Sequence, residues 1–252
     1  MVGTLLMRGM LVGIVAGIFC FGFLKIVGEP QVDRAIAFET AMDEAKEKTQ
    51  AEVAAPEPEL VSRSVQAGIG LFTGVTVYNA AFGGLFALVF ALAYGRMGDF
   101  SPRATSALLA AAGIIAIYVV PNLKYPANPP SIGAPDTIGM RTELYFVMIA
   151  ISLAAMIGAG MLRLRLNPRC GSWNAALIAA AAYLTVMIVV SLALPSINET
   201  PEGFPAVVLW QFRIASAGAQ LIMWTTIGLM FGALTERAAT RQNDWQLKAT
   251  TL

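Results

Sequence analysis

Residues 173–194 read WNAALIAAAAYLTVMIVVSLAL, 22 positions without a charged side chain. A hydrocarbon core of about 30 Å is crossed by roughly 20 apolar residues in a helix. In lipid the backbone polar groups must be satisfied internally, so only helices or closed barrels cross. Barrel strands alternate apolar and polar residues over ~10 positions, and nothing here alternates. Working outward, Leu5–Val27, Ile69–Tyr94, Ala104–Val120, Leu144–Leu162 and Ile214–Leu234 have the same character. The expected fold is an all-α integral membrane protein, a single polytopic domain over residues 1–252. It is a bundle of about six transmembrane helices (five being the alternative count), with proline-rich outer loops. A short extramembrane amphipathic helix and linker, 29–62, follows the first span.

The composition agrees. Hydrophobic residues make up 57% of the chain and charged residues 13%, against ~45–50% and ~25% in soluble domains. A net charge of +1 gives no basic excess for nucleic acid. Cys20 and Cys170 lie too far apart for a CxxC site. The sequence contains no histidine, which excludes imidazole bases, His-rich metal sites and His-containing triads. GxxxxGK[ST], GxSxG and HExxH are absent as well, so the chain is not read as an enzyme.

The first span carries Arg8 but no A-x-A cleavage site, and Lys25 interrupts its end, so a retained helix is expected rather than a signal peptide. The short loops set the orientation. Arg8, Arg96, Arg103, Arg163, Arg165, Arg169, Arg237, Arg241 and Lys248 fall on one side if six helices cross. The positive-inside rule then makes the protein multi-pass with both termini cytoplasmic. Gly28–Gln66, Pro121–Thr142 and Pro195–Leu209 fall together on the outer face. Gly9, Gly13 and Gly17, with the pairs Gly70/Gly74 and Gly228/Gly232, are expected to line helix–helix contacts, where small residues let backbones approach.

The outer segments hold the candidate functional residues. In the first, Pro30 suits the opening turn of a helix and Glu29 and Asp33 its positive end; Val32, Ile36 and Phe38 could rest on the membrane surface. Residues 54–59 (AAPEPE) read as a linker. The second packs four prolines into residues 121–130, which stiffens the loop, before Asp136, Arg141 and Glu143. The third carries Pro195, Asn198, Glu199, Pro201, Glu202 and Pro205, then Trp210, Gln211 and Arg213. Helix, proline-rich turn, helix with an arginine near its start occurs twice, which reads either as a degenerate repeat or as coincidence. Tyr125 and Trp210 also fit an interfacial aromatic belt. Glu29, Asp33, Asp136, Glu143, Glu199 and Glu202 are candidates to attract a cation along a pathway. Lys124, Tyr125, Asn128, Arg141, Asn198, Trp210 and Arg213 are candidates to hold loops or pair those carboxylates. Oxygen donors alone favour Mg, Ca or Mn over cobalt or nickel, and the metal itself is not fixed by spacing.

The stretches EPQVDRAIAFE (29–39), KYPANPPSIGAPDTIGMRTELYF (124–146) and LPSINETPEGFPAVVLWQFRIAS (194–216) resemble signature segments of the CbtA family, predicted cobalt transporter subunits. The similarity runs over about residues 5–237. It implies a bacterial inner-membrane protein associated with cobalamin-dependent regulation, taking up Co²⁺ as the transported ion and holding no permanent cofactor. It also implies a small single-span, histidine-rich partner of CbtB type. The family is usually described with five spans, one fewer than are read here. Because Co²⁺ prefers some nitrogen ligation and this chain has no imidazole, the expected division of labour is capture by the partner and permeation through this subunit. The readings kept beside it are a non-transporting scaffold or assembly protein, and a transporter of nickel, a corrinoid or an anion, to which Lys124, Arg141 and Arg213 would bind well.

Overall fold

A computed structural model describes residues 2–47, 61–130 and 132–250; the 54–59 linker reading lies outside them. Among the described residues the chain is helical and contains no strand. Five continuous helices are long and apolar enough to cross a membrane: α1 (Val2–Ala45), α2 (Arg63–Ala93), α3 (Pro102–Lys124), α4 (Ile138–Ala193) and α5, whose apolar window lies in Ala206–Arg241.

α4 decides the topology. It contains Pro168 and then Gly171 at φ 78°, ψ 161°, a region only glycine occupies without strain. The chain reverses there. The Ser152 and Tyr183 hydroxyls, 31 residues apart, meet at 2.8 Å, whereas a straight helix would hold them about 46 Å apart. Met148 on the first arm packs with Tyr183 and Met187 on the second. The expected fourth and fifth spans are thus the two antiparallel arms of α4, and five continuous helices make six apolar crossings. The difference from the sequence reading is local: the turn between the arms has no loop, because the Pro168–Gly171 corner itself redirects the helix.

α1, α2, α3 and α5 form the body of the bundle, with α5 touching the other three; the α4 hairpin leans on residues 114–124 of α3. Val12, Ala16 and Cys20 meet Phe86, Ala87, Phe90, Met223, Trp224, Ile227 and Phe231 in the core. The α1–α2 seam is backbone on backbone. A Cβ on Gly9 would lie 2.2 Å from the Gly83 carbonyl oxygen, and one on Gly13 2.2 Å from that of Asn79. Gly228 and Gly232 similarly approach Ala110 and Ser106 of α3. The pair Gly70/Gly74 does not work this way, since a Cβ on Gly74 would meet nothing within 4 Å. At that level the rings of Phe21 and Phe72 make the contact, their centroids 5.2 Å apart.

Two prolines sit inside continuing helices. Pro30 cannot donate to Ile26 and crowds its carbonyl, and the wider π turn Leu24–Gly28 relieves this. Pro121 stands likewise over the π turn Ile114–Val119. So α1 does not stop and restart at Pro30 as expected. In its upper part Ala35 packs with Ile132, Phe204 and Val208, and Phe38 flanks them. Ala35 and Phe38 thus join the first segment to the other two proline-rich segments.

The two ends of the bundle sort as the loops suggested. Arg8 bonds Thr235 (3.1 Å), Arg103 pairs with Glu236 (3.3 Å) and Arg163 stands over the Phe100 ring at one end. The proline-rich segments gather at the other.

Gly83→Ala should destabilise the protein by about 1–3 kcal/mol, because the new methyl has a carbonyl in its place. Gly74→Ala should leave the melting temperature unchanged or raise it. Thermal melts of the two purified variants check this; equal losses would mean that the seam is not the close contact described.

Candidate functional site

A polar concavity lies at the proline-rich end. It has a volume of about 480 Å³ and is walled by α3 (Tyr118, Asn122), residues 125–128 and Ile132, the first arm of α4 (Arg141, Thr142, Tyr145), residues 197–200 and α5 (Arg213, Ser216, Gln220). Each wall depends on a local stiffener. The loop is closed by Asn122, whose Oδ1 accepts from the Ala127 amide at 3.0 Å. Tyr125 donates to the Pro195 carbonyl (2.8 Å) and Lys124 to the Ser196 hydroxyl (3.0 Å), tying the second segment to the third.

Arg141 and Glu199 form the main ion pair, Nε to Oε2 at 3.3 Å. Glu199 also accepts from the Ala134 amide at 3.0 Å. The Thr137 hydroxyl, foremost, together with the Ala134 amide and the Arg141 charge, holds the Glu199 carboxyl below the usual range. Arg141 fits only because residue 133 is glycine. Gly133 has φ 117°, and a Cβ there would sit 2.1 Å from the guanidinium. Arg213 is held differently: its Nε donates to the Ala127 carbonyl at 3.2 Å and Nη2 to Asn128 Oδ1 at 2.9 Å. Both partners are neutral.

The remaining candidates divide. Asn128 and Asn198 line the cavity with Glu199, Tyr125, Arg141 and Arg213. Asp136, Glu143, Glu202 and Trp210 are exposed and do not line it. Glu29 and Asp33 are brought to Arg63, with Asp33 Oδ1 at 2.9 Å, and so clamp the start of α2 to α1 rather than face the cavity. Arg34 links the first segment to α5 through Gln211 at 3.0 Å.

Sequence reading missed the floor. Tyr118 donates to the Ser216 hydroxyl at 3.3 Å, Gln220 lines the cavity beside them, and Tyr78 reaches Gln220 from α2. Deeper still, buried Asn79 lies 3.8 Å from the Cys20 sulfur, which also approaches the Ala219 carbonyl at 3.3 Å. The signal was available, because an amide inside an apolar helix is costly unless it has a function or a partner. Gln220 and Asn79 are such amides. Among the described residues no group of three or more His, Cys, Asp or Glu is placed to hold a metal ion.

A family model described as probable cobalt transporter subunit (CbtA) matches residues 2–236. This helical bundle with a polar cavity at one end accords with a transporter subunit of that description. The chain belongs to the CbtA family. No curated protein and no solved structure matches it.

Because the folded-state pKa of Glu199 is depressed, its contribution to stability is present above the ordinary glutamate range of about 4.3 and disappears as pH falls through its own lower value. Wild type should therefore melt above Glu199→Gln at pH 6–7. The gap should narrow as the pH falls below the ordinary glutamate range. Melting curves of both proteins across this range test it, and a gap independent of pH would contradict the assignment.

Proposed function

We propose that this chain is the permeation subunit of a cobalt uptake transporter in the bacterial inner membrane, with both termini cytoplasmic and the proline-rich cavity facing out. A small single-span, histidine-bearing partner of CbtB type captures the metal and delivers it to the cavity. The observation that carries this reading is the descent of polar groups from the cavity into the bundle: Tyr118 and Ser216, then Gln220 and Tyr78. Arg141, Glu199 and Arg213 surround an open volume, while Asp136, Glu143 and Glu202 stand exposed outside it; the charges gathered around the cavity favour a pathway over a docking scaffold. The donor set supports the division of labour. Cobalt is cargo, not a resident ion, and a chain with no imidazole and no assembled ligand cluster among its described residues suits transit better than capture.

The residues have distinct tasks in this scheme. Gly133 leaves room for Arg141, and Arg141 with Glu199 ties the loop 132–137 to residues 197–200, fixing the mouth. Lys124 and Tyr125 fix its opposite rim. Tyr118, Ser216 and Gln220 offer neutral oxygen and amide groups below, weak enough for a cargo to leave again.

The test is labelled Co²⁺ uptake, with Ni²⁺ as competitor, in cells lacking native cobalt importers and expressing this chain, the partner, or both. Uptake should require both proteins. Gly133→Val, which displaces Arg141, should lower it at equal expression by roughly tenfold or more, since misplacing a positioning group by ~1 Å can cost up to a hundredfold. No uptake in any combination, with the protein verified in the membrane, overturns the proposal.

A further inference from the structure

The charge of the cavity is opposite to that of a bare metal ion. Its charged lining consists of Arg141, Arg213 and Glu199. Glu199 is engaged by Arg141 at 3.3 Å and by the Ala134 amide at 3.0 Å. Arg213 bonds only a carbonyl and an amide oxygen, and no carboxylate among the described residues pairs with it. One guanidinium therefore faces the cavity with its charge uncompensated. A hydrated dication would be repelled from a lining of net positive charge, and its one acidic contact would have to be taken from Arg141. An oxyanion meets the reverse situation, since guanidinium donors match carboxylate or phosphate geometry and charge-assisted bonds are the strong ones. Around Arg213 and Arg141 stand the neutral groups of Tyr118, Tyr145, Asn198 and Gln220, which can orient a polar ligand without changing the charge. The volume, about 480 Å³, lies in the range of small-molecule sites.

We infer that the cavity is an oxyanion site, anchored by Arg213, and that cobalt enters it as a negatively charged carboxylate chelate rather than as the hydrated ion. The oxyanion site stands on the geometry alone. The chelate rests on the transport reading above. The lipid phosphate of a headgroup offers the same chemistry from another source, and the test separates the two.

The experiment is equilibrium binding to the full-length purified protein in phosphatidylcholine nanodiscs, using labelled citrate alone, Co²⁺ alone, and the cobalt–citrate complex. Citrate and cobalt–citrate should bind, more weakly as salt rises, and Co²⁺ alone should not. Arg213→Gln should weaken citrate binding by about tenfold, the worth of one charge-assisted bond, and Arg213→Lys should retain most of it. Glu199→Gln gives the decisive sign. It frees the charge of Arg141 while keeping an oxygen for the Ala134 amide, so citrate should bind several-fold tighter; at a cation site the same change would weaken binding. Adding phosphatidylglycerol should not displace citrate. Failure of citrate to bind the wild type, Co²⁺ binding that is lost in Glu199→Gln, or weaker citrate binding in that variant overturns the site. Displacement by phosphatidylglycerol assigns it to a headgroup and overturns the chelate. Citrate binding without cellular cobalt uptake would instead refute the transport reading and leave the oxyanion site intact.

Discussion

The reversal at Gly171 is the constraint on which the rest depends. Without it, Arg141 and Glu199 would stand at opposite ends of a single helix about 80 Å long, and no cavity would exist. With it, the second and third proline-rich segments arrive at the same end of the bundle, where the upper part of α1 meets both through Phe38, Ile132 and Phe204. One backbone geometry, φ 78° and ψ 161° at a residue without a Cβ, fixes the topology of the cavity.

The bundle below must supply what lipid cannot. Apolar burial gives helices no preference for one another in a membrane, so the α1–α2 and α3–α5 contacts rely on glycine, alanine and serine, with backbones close and a hydroxyl such as Ser106 satisfied by the Gly228 carbonyl at 2.6 Å. Rigidity there lets the loops above be held by a few polar bonds. The prolines stiffen those loops, while Tyr125, Lys124 and Asn122 cross-tie them. A mouth held by bonds from several segments can keep Arg213 facing open volume instead of collapsing onto the nearest acid.

Much of this was legible in the sequence, and for identifiable reasons. Apolar runs such as 173–194 fix helices because their length and lack of charge leave no other solution in lipid. The distribution of Arg and Lys sorted the loops, and the prolines marked the segments that converge. Less legible was anything that depends on a partner distant in sequence. Glu29 and Asp33 look like candidates for a vestibule, yet Arg63 takes both. Asp136, Glu143 and Glu202 carry the same chemistry as Glu199, but only Glu199 turns toward Arg141 and the cavity. Pro30 suggested a helix start because its preference for a first turn is strong; a π turn one step earlier let the helix continue. Gly70 and Gly74 have the right spacing but the wrong depth, since two phenylalanines occupy the contact there.

The most direct measurement is the side of the membrane from which two cysteines react with an impermeant maleimide. Cys170, partly accessible at the α4 corner, serves without mutation, while Cys20 is buried; the second is introduced at exposed Asn198. Fold-back at Gly171 requires that they label from opposite faces, with position 198 reacting in intact cells and Cys170 only in inverted vesicles. Labelling of both from the same face would contradict the hairpin, and with it the cavity that the three segments enclose.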